Sequence, residues 1–353
     1  MKVLVTGASG HIGGHVVDQL LNRNHSVRAL ARKSSDLRGV RASEIEIING
    51  DIKDRSAVKK AAEGCEAIIH LAAVYKTIAK TAEEIVEPAV SGARNVLEVA
   101  AELGIKRVVY TSSVASIGFS YNRDEMRTAE DWNDDAQNPY YLAKTQSERQ
   151  AQKMAAESGV ELIVLCPAIV LGPGDYRITP SNGLVMDLLN GRGQTYRGGM
   201  NIVDVRDVAR AHVEALSKGE PGSRYIVGGE NIEVIELGRM LKTLTGNRPL
   251  HLPTGRKLTL VAARAIEMIC RLLHLTPPFT QDLVHEVVER YAWYDTSRTY
   301  TTFDFQPRPA KQVLQDCIAW LIAQDKVRQR VAEGFRSRNN ELPASAIGAE
   351  KNA

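Results

Sequence analysis

Cysteine is scarce in this sequence. The 353 residues include four cysteines, Cys65, Cys166, Cys270 and Cys317, which lie far apart along the chain. They have neither the paired spacing of a zinc site nor the density of a disulfide-stabilised domain. We therefore expect a protein of a reducing compartment and predict a cytoplasmic location.

Long apolar runs are also missing. The first strand candidate reaches Gly7 directly, which leaves no room for the charged region and apolar stretch of a secretory signal. The most apolar later segment, 258–275, contains Arg264, Glu267 and Arg271, and charges inside a membrane span are costly. We expect an amphipathic helix here and no membrane insertion.

A large excess of either charge is absent as well. The 45 basic and 42 acidic residues give a net charge of +3, and segment 325–338 alone carries a surplus of that size. The remainder is close to neutral, which argues against a nucleic-acid partner. We interpret segment 325–353 as a basic helix end followed by a flexible tail.

What the sequence does contain is a regular alternation of short β-branched runs and longer helical stretches. This alternation predicts βαβ units and a doubly wound α/β fold with a parallel sheet. The predicted strands are 3–5, 26–30, 44–48, 67–70, 107–110 and 162–165, and the predicted helices between them are 12–22, 55–63, 83–103 and 140–158.

The length predicts about two domains at roughly 150 residues each. Regularity loosens after Pro167, where a Gly/Pro-rich stretch begins. We assign 1–170 and 200–229 to the sheet domain. We assign 171–199 and 230–324 to a smaller C-terminal lobe that is partly interleaved with it.

Glycines mark the turn after the first predicted strand. Residues 6–13 read TGASGHIG, so Gly7, Gly10 and Gly13 lie between a strand and a helix. In a dinucleotide-binding turn, one glycine permits the bend, one lets backbone N–H groups approach phosphate, and one lets helix pack on strand. The triplet therefore predicts a pyrophosphate site, with an ordinary strand-to-helix turn as the alternative.

The second predicted strand ends without the acidic residue that an NAD-selective site offers to the ribose hydroxyls. It runs instead into Arg32, whose guanidinium can stack on adenine and pair with a 2′-phosphate. We predict NADP(H), with NAD(H) less favoured and a solvated surface arginine as the alternative. Asp51, after the third strand, is placed either to accept from the adenine amino group or to stabilise its own turn.

The chemical centre is predicted from Tyr140 and Lys144, which are one helical turn apart and share a face. An alkoxide formed by hydride transfer must be protonated, and a phenol can do this if a nearby ammonium lowers its pKa. Ser113 is the last residue of the sequence Thr-Ser-Ser that ends the fifth predicted strand, and it can hold the substrate oxygen against Tyr140. Tyr141 is the rival phenol, but it points about 100° away on the helix.

The chain resembles the extended short-chain dehydrogenase/reductase family, which includes nucleotide-sugar epimerases, 3β-hydroxysteroid dehydrogenases and dihydroflavonol 4-reductases. The likeness is strongest to the dihydroflavonol-reductase-like branch. The resemblance to the family as a whole rests on the following motifs: the glycine turn, Gly50-Asp51-Ile52, His70-Leu71-Ala72-Ala73, Ser112-Ser113, Tyr140-x-x-x-Lys144, Pro167 and 201–209.

The resemblance implies an NADP-binding Rossmann domain, a small substrate-binding lobe, a serine-tyrosine-lysine centre, and a dimer through helices 83–103 and 140–158. Together with the pattern above, it gives the expected cofactor contacts: Gly7, Gly10, His11, Ile12, Gly13, Arg32, Asp51, Ile52, Leu71, Ala72, Ala73, Ser112, Tyr140, Lys144, Pro167, Ile169 and Val170.

Departures from the family pattern bear on the reaction. Dehydratases of the family place an Asp-Glu pair after the strand-five serine or threonine, where this chain has Val114 and Ala115. Nucleotide-sugar members usually carry an arginine where Met200 stands, although Arg197 or Arg177 lies close enough in the sequence to replace it.

We therefore expect an NADP(H)-dependent reductase of a mainly apolar ketone or aldehyde, with Tyr140 as proton donor. The alternatives are a sugar epimerase with a transient keto intermediate and a cofactor-sensing regulator without turnover. Tyr75, Tyr176 and Ile178 are candidate substrate-wall residues, and each is equally interpretable as core. His11 and His15 are four apart but lack the carboxylate of a metalloprotease motif, so no metal is expected.

Overall fold

A computed structural model describes residues 1–72, 83–251, 254–273, 275, 277 and 279–339, with side chains described throughout except at 83–85 and 89. The strands are β1 Lys2–Thr6, β2 Ser26–Ala31, β3 Glu46–Asn49, β4 Ala67–His70, β5 Arg107–Thr111, β6 Glu161–Pro167, β7 Ile169–Leu171, β8 Gln194–Thr195, β9 Gly199–Asp204, β10 Arg224–Val227, β11 Glu230–Glu233 and β12 Leu250–His251.

The helices follow the strands in alternation through the first half of the chain. They are α1 His11–Asn22, α2 Arg55–Ala62, α3 Glu83–Glu102, α4 Pro139–Ser158, α5 Pro180–Leu189, α6 Val205–Glu214, α7 Val234–Thr245, α8 Arg256–Leu272, α9 Gln281–Val287, α10 Ser297–Phe303, α11 Ala310–Ala323 and α12 Gln329–Arg338.

Seven strands form the main sheet, in the order β10-β6-β5-β4-β1-β2-β3, and every neighbouring pair is parallel. Strand order reverses between β1 and β4, where Val3 pairs with Val27 on one side and with Ala67 on the other. Ligands of open α/β sheets bind outside the carboxyl ends of the strands at such a point. The doubly wound fold expected from the sequence is confirmed.

Helices cover both faces of this sheet, which is why its strands are apolar on both sides. In β1, Val3, Leu4 and Val5 have no exposed surface. Helices α1 and α6 pack on one face through a first core that includes Val16 and Val208. Helices α2, α3 and α4 pack on the other face through a second core.

A smaller three-stranded sheet, β11-β9-β7, lies next to a third hydrophobic core formed by α5, α7, α11 and α12. The chain enters this sheet at β7, directly after β6, and returns to the main sheet at β10. The two groups of elements are therefore interleaved along the sequence.

Two local differences from the sequence-based expectations have simple causes. Strand β3 begins at Glu46 rather than 44, because Ala42–Glu44 form a 3₁₀ turn. The basic end of the chain forms α12, whose Val331 and Phe335 are buried in the third core while its arginines stay outside. The last part of the segment 325–353, from 340 onward, lies outside the described residues, so the flexible tail stays a prediction.

None of the helices in the described ranges has both the length and the apolar character that crossing a membrane requires.

Candidate active site

A cleft of about 760 Å³ lies at the carboxyl ends of the parallel strands, across the reversal between β1 and β4. Most residues singled out from the sequence line it. They are Gly7, Gly10, His11, Ile12, Gly13, Arg32, Asp51, Ile52, Leu71, Ala72, Ser112, Ser113, Tyr140, Lys144, Pro167, Val170, Tyr176 and Ile178.

Three sequence-based candidates are not placed in this lining. Ile169 packs against the third core, because successive residues of β7 point to opposite faces and Val170 takes the cleft side. Ala73 and Tyr75 lie outside the described residues.

The glycine turn is shaped by the close approach of the first and fourth strands. Gly7 has a φ of +76°, and a Cβ there would lie 2.8 Å from the backbone nitrogen of Ala72. A Cβ at Gly13 would overlap the carbonyl oxygen of Gly7. Both positions therefore require glycine, for the left-handed backbone at Gly7 and for the helix-to-turn contact at Gly13.

Helix α1 starts immediately after Gly10, which has no side chain to cap it. The first-turn N–H groups are thus left for a ligand, and the helix N-terminus favours an anion. The cradle that a Cβ would fill and the uncapped terminus together fit the pyrophosphate of a nicotinamide dinucleotide.

At the far end of the cleft, Arg32 follows β2 and its side chain is exposed. Asp36 also lines this region, an acid that the sequence argument for NADP did not consider. Its carboxylate accepts from Arg38 Nε at 3.0 Å and Nη2 at 2.6 Å, and these bonds lower the pKa of Asp36 to about 2. Arg38 offsets that negative charge, so Arg32 faces the cleft as a cation, and Lys53 and Arg177 also belong to the cleft lining.

Tyr176 lies at the same end. Its ring faces the Arg38 guanidinium at 5.2 Å and meets Trp320 edge-on, with ring centroids 5.0 Å apart. A Cβ on Gly39 would come within 3.1 Å of it. Tyr176 thus packs among Arg38, Gly39 and Trp320, and its place in a substrate wall stays a prediction.

The loop that carries Tyr176 is tied to the glycine turn. His11 Nε2 and His15 Nε2 lie 2.9 Å and 3.0 Å from the carbonyl oxygen of Pro173, and Arg177 Nη2 donates to Ser9 Oγ at 3.0 Å. Burial lowers the pKa of both histidines, so both are neutral donors to this carbonyl. Among the described residues, no group of three His, Cys, Asp or Glu side chains is arranged to hold a metal ion.

Tyr140 and Lys144 project from the first turns of α4 into the cleft. Asn138 caps this helix by accepting from the backbone nitrogen of Tyr140 at 2.9 Å, and Pro139 occupies the first helical position. Tyr140 and Lys144 are each only 8% exposed. Burial lowers the pKa of Lys144 to about 8, while the carboxylate of Glu148 acts in the opposite direction.

Ser113 lines the same cleft as Tyr140 and Lys144 and lies at the start of a 3₁₀ turn. Its Oγ accepts from the backbone nitrogen of Ala115 at 3.1 Å, which leaves its own hydrogen available to a ligand. Tyr141 packs edge-on against Phe119 at 5.5 Å between centroids and belongs to the second core. The two phenol rings meet edge-on with their centroids 5.6 Å apart, and of the two, Tyr140 lines the cleft.

Glu148, which no sequence motif had singled out, places a negative charge next to Lys144. Glu148 is fully buried one turn further along α4 and accepts from Ser112 Oγ, from Ser116 Oγ at 2.5 Å and from Arg224 Nε at 2.5 Å. The spacing 140, 144, 148 was the available signal, because it continues the same helical face. Arg224 comes from β10 and had no local signal.

His70, part of the motif His70-Leu71-Ala72-Ala73, lies at the end of β4 beside β1, where the strand order reverses. Its Nδ1 is 2.7 Å from Thr6 Oγ1, and that oxygen also accepts from the Ala72 nitrogen at 3.4 Å. Burial, helped by the positive charge of Lys144, lowers the pKa of His70 to about 3. This imidazole is therefore neutral and holds the ends of β1 and β4 together.

Comparison with known proteins gives a consistent family relationship. A model of the NAD dependent epimerase/dehydratase family matches residues 3–228. A putative dihydroflavonol 4-reductase from Synechocystis sp. is 32% identical over 330 residues, covering 90% of this chain and 93% of that protein. Cinnamoyl-CoA reductase 1 of Arabidopsis thaliana is 34% identical over 255 residues, covering 66% of this chain and 73% of that protein.

The fold is also found among solved structures. The crystal structure of gox2253 superimposes with a TM-score of 0.81 at 29% identity, covering 92% of this chain and 99% of that chain.

Replacing Glu148→Gln tests the buried cluster beneath the cleft. The change leaves the Arg224 guanidinium in the interior without its carboxylate, so we expect a loss of about 3–5 kcal/mol in the free energy of unfolding. The matched control is Glu157→Gln on the exposed side of the same helix, expected within about 0.5 kcal/mol of the parent. Equal denaturation midpoints for the two variants would contradict the role of Glu148.

Proposed function

Since the chain belongs to the NAD dependent epimerase/dehydratase family, we propose that it reduces the carbonyl group of a mainly apolar ketone or aldehyde with NADPH. It is an NAD(P)-dependent oxidoreductase of the extended short-chain dehydrogenase/reductase type. The proposal concerns the substrate class, the direction and the choice of NADPH. One observation carries it: Ser113, Tyr140 and Lys144 line the same cleft as the glycine turn.

The residues that would hold the cofactor follow from the cleft. The turn at Gly7 and the first N–H groups of α1 would take the pyrophosphate, and Arg32 the 2′-phosphate. Pro167 and Val170 line the cleft on the side of Ser112 and would contact the nicotinamide. When bound, the reduced cofactor supplies a hydride for the carbonyl carbon.

Tyr140 would deliver the proton that the substrate oxygen needs as the carbonyl is reduced. The Lys144 ammonium stabilises the phenolate that remains, an effect strengthened because burial of both groups excludes water. Ser113 would donate its hydroxyl hydrogen to the same oxygen and fix its position, while its own oxygen is held in place by accepting from the Ala115 nitrogen.

Reduction is favoured over sugar epimerisation because the side chains that could clamp the diphosphate of a sugar nucleotide make other contacts. Met200 is buried in the third core. Of the arginines that might replace a clamp there, Arg177 bonds Ser9 at the glycine turn and Arg197 lies 3.8 Å from Glu289. Elimination of water is disfavoured because Val114 and Ala115 stand where a dehydratase needs acids.

Two further observations support an apolar carbonyl substrate. Ala168, Val170, Ile178 and Pro180 give an apolar part to the lining of the cleft that also holds Tyr140 and Ser113. The relatives that cover most of the chain include proteins named as reductases, of dihydroflavonol and of cinnamoyl-CoA. A homodimer through α3 and α4 stays a prediction.

Tyr140→Phe tests the reaction. We expect loss of at least 100-fold in NADPH oxidation with ketones or aldehydes, in keeping with the weight of general acid catalysis, while NADPH still binds. Tyr141→Phe is the control and should retain activity, because that phenol packs against Phe119. Carbonyl substrates that leave NADPH unconsumed while a sugar nucleotide is epimerised would overturn the reductase in favour of the alternative.

The pH dependence of reduction should report Lys144. Because burial lowers the pKa of this ammonium to about 8, it loses its proton above that pH and no longer stabilises the phenolate. We expect kcat/KM for the carbonyl substrate to fall above about pH 8, with NADPH affinity measured in parallel as the control. A rate that stays level to about pH 10, as for an ordinary lysine, contradicts this role.

Arg32→Asp tests the cofactor choice. Loss of a charged hydrogen-bond donor and addition of a like charge should weaken NADPH binding by about 10- to 100-fold, with little change for NADH. The control is Lys33→Asp, which changes the same charge at an exposed neighbour. An unchanged ratio of the two affinities in Arg32→Asp would show that this arginine does not select the phosphate.

A further inference from the structure

The exposed apolar side chains of this protein are concentrated on one helix. Of the eleven large hydrophobic residues exposed in the described part of the chain, seven lie between 258 and 275. Their exposed fractions run from 51% at Ile269 to 75% at Leu272. Scattered apolar residues on a surface need no explanation, but a contiguous patch marks an interaction surface.

The residues follow a helical period. Leu258, Val261, Ala265, Met268 and Leu272 recur at intervals of three and four along α8, and all are exposed. Ile269 widens this set on one side. We call these six residues the apolar stripe. It runs the length of the helix, which at 17 residues is about 25 Å long.

The opposite face of α8 is the one that packs on the protein. Ala263 is buried in a small cluster with Val284 and Val288 beside α9, and Leu260 packs against it. This cluster is separate from the three larger cores. Helix α8 therefore lies at the periphery, with its apolar stripe directed away from the structure.

Positive charges flank the apolar stripe. Lys257, Arg264 and Arg271 are exposed at intervals of seven, so they form a row along one edge of the stripe. The only acid on the helix, Glu267, is half-buried and accepts from the backbone nitrogen of Gln281 at 2.6 Å and from its side chain at 2.7 Å. The exposed surface of α8 thus combines apolar and basic residues alone.

We propose that α8 binds the surface of a lipid bilayer that contains anionic lipids, lying parallel to it. A helix with an apolar face bordered by Lys and Arg sits at the boundary between headgroups and acyl chains, with its basic residues on the headgroups. A second copy of the same helix fits less well, because pairing would bring together two rows of positive charge with no free acid to offset them.

The surface mode of attachment agrees with the length and charge of α8. Its apolar side chains enter the interface from one side, and its backbone hydrogen bonds remain within the helix. The active-site cleft does not include any residue of the stripe or the basic row, so attachment and catalysis can be measured independently.

The test is sedimentation of the full chain with vesicles of phosphatidylcholine alone and of phosphatidylcholine mixed with phosphatidylglycerol. We expect binding to the mixed vesicles that weakens as salt is raised. Arg264→Gln with Arg271→Gln should weaken it by about 25-fold, at about fivefold for each basic residue. Val261→Gln with Leu272→Gln should abolish it.

Matched controls remove two positive charges, or one apolar side chain, elsewhere on the surface. Lys60→Gln with Lys106→Gln removes two exposed charges from the sheet domain, and Met126→Gln removes an exposed apolar side chain. These variants should bind the mixed vesicles as the parent does. Thermal unfolding and NADPH binding, measured for every variant, exclude an effect through misfolding.

Several outcomes overturn the proposal. The parent protein could stay in the supernatant with both kinds of vesicle, or both α8 double variants could bind as well as the parent. A concentration-dependent dimer that Val261→Gln with Leu272→Gln dissociates, without vesicle binding, assigns the stripe to a second copy instead. Capture of an acidic protein by the stripe, again without vesicle binding, rejects lipid in the same way.

Discussion

A positive charge held in the interior at Lys144 is the constraint on which the surrounding structure depends. Burial opposes that charge, as its lowered pKa shows, so the fold must supply compensation. Glu148 supplies a negative charge one turn away, and the Ser112 carbonyl oxygen lies 3.5 Å from Nζ. Glu148 in turn needs donors, and it takes them from Ser112 directly after β5, from Ser116 in the following turn and from Arg224 in β10. The end of β5, strand β10 and helix α4 are thereby fixed around a single ammonium.

Burial leaves His70 and Lys144 in different charge states at neutral pH. Burial lowers the pKa of His70 to about 3 and that of Lys144 to about 8. At neutral pH the imidazole is therefore uncharged, and the lysine is largely protonated. One positive charge thus remains near Tyr140, and the neutral His70 can serve as a hydrogen-bond acceptor for Thr6 without competing with it.

Local patterns in the sequence predicted the parts of the site that lie on one element. The glycine turn, the strand bounds at 67–70 and the shared face of Tyr140 and Lys144 each depend on neighbouring residues alone. Contacts between distant segments had no such signal. Arg224 meets Glu148 from 76 positions away, and Asp36 enters the cleft only because the chain after β2 folds back. The choice of Val170 over Ile169 follows from the register of β7 with β9, which the sequence does not specify.

Two later segments of the chain, 173–177 and α9, are hydrogen-bonded to opposite ends of the cleft, which couples their positions to the glycine turn and to the start of α4. At one end, Pro173 and Arg177 contact α1 and the glycine turn. At the other, buried Glu286 of α9 accepts from the backbone nitrogens of Gln137 and Asn138, immediately before α4. Asp282 of the same helix accepts from the Asn138 side chain at 2.8 Å. Movement of these two segments would therefore disturb the glycine turn and the start of the helix that carries Tyr140. The positive φ of Ile178, unfavourable for a β-branched residue, lies in the segment that joins these contacts. Strain of this kind persists only where surrounding bonds over-determine the backbone, and here Asp175 supplies them, because its carbonyl oxygen accepts from the Ile178 nitrogen at 3.1 Å and its carboxylate from the Thr179 nitrogen at 2.7 Å.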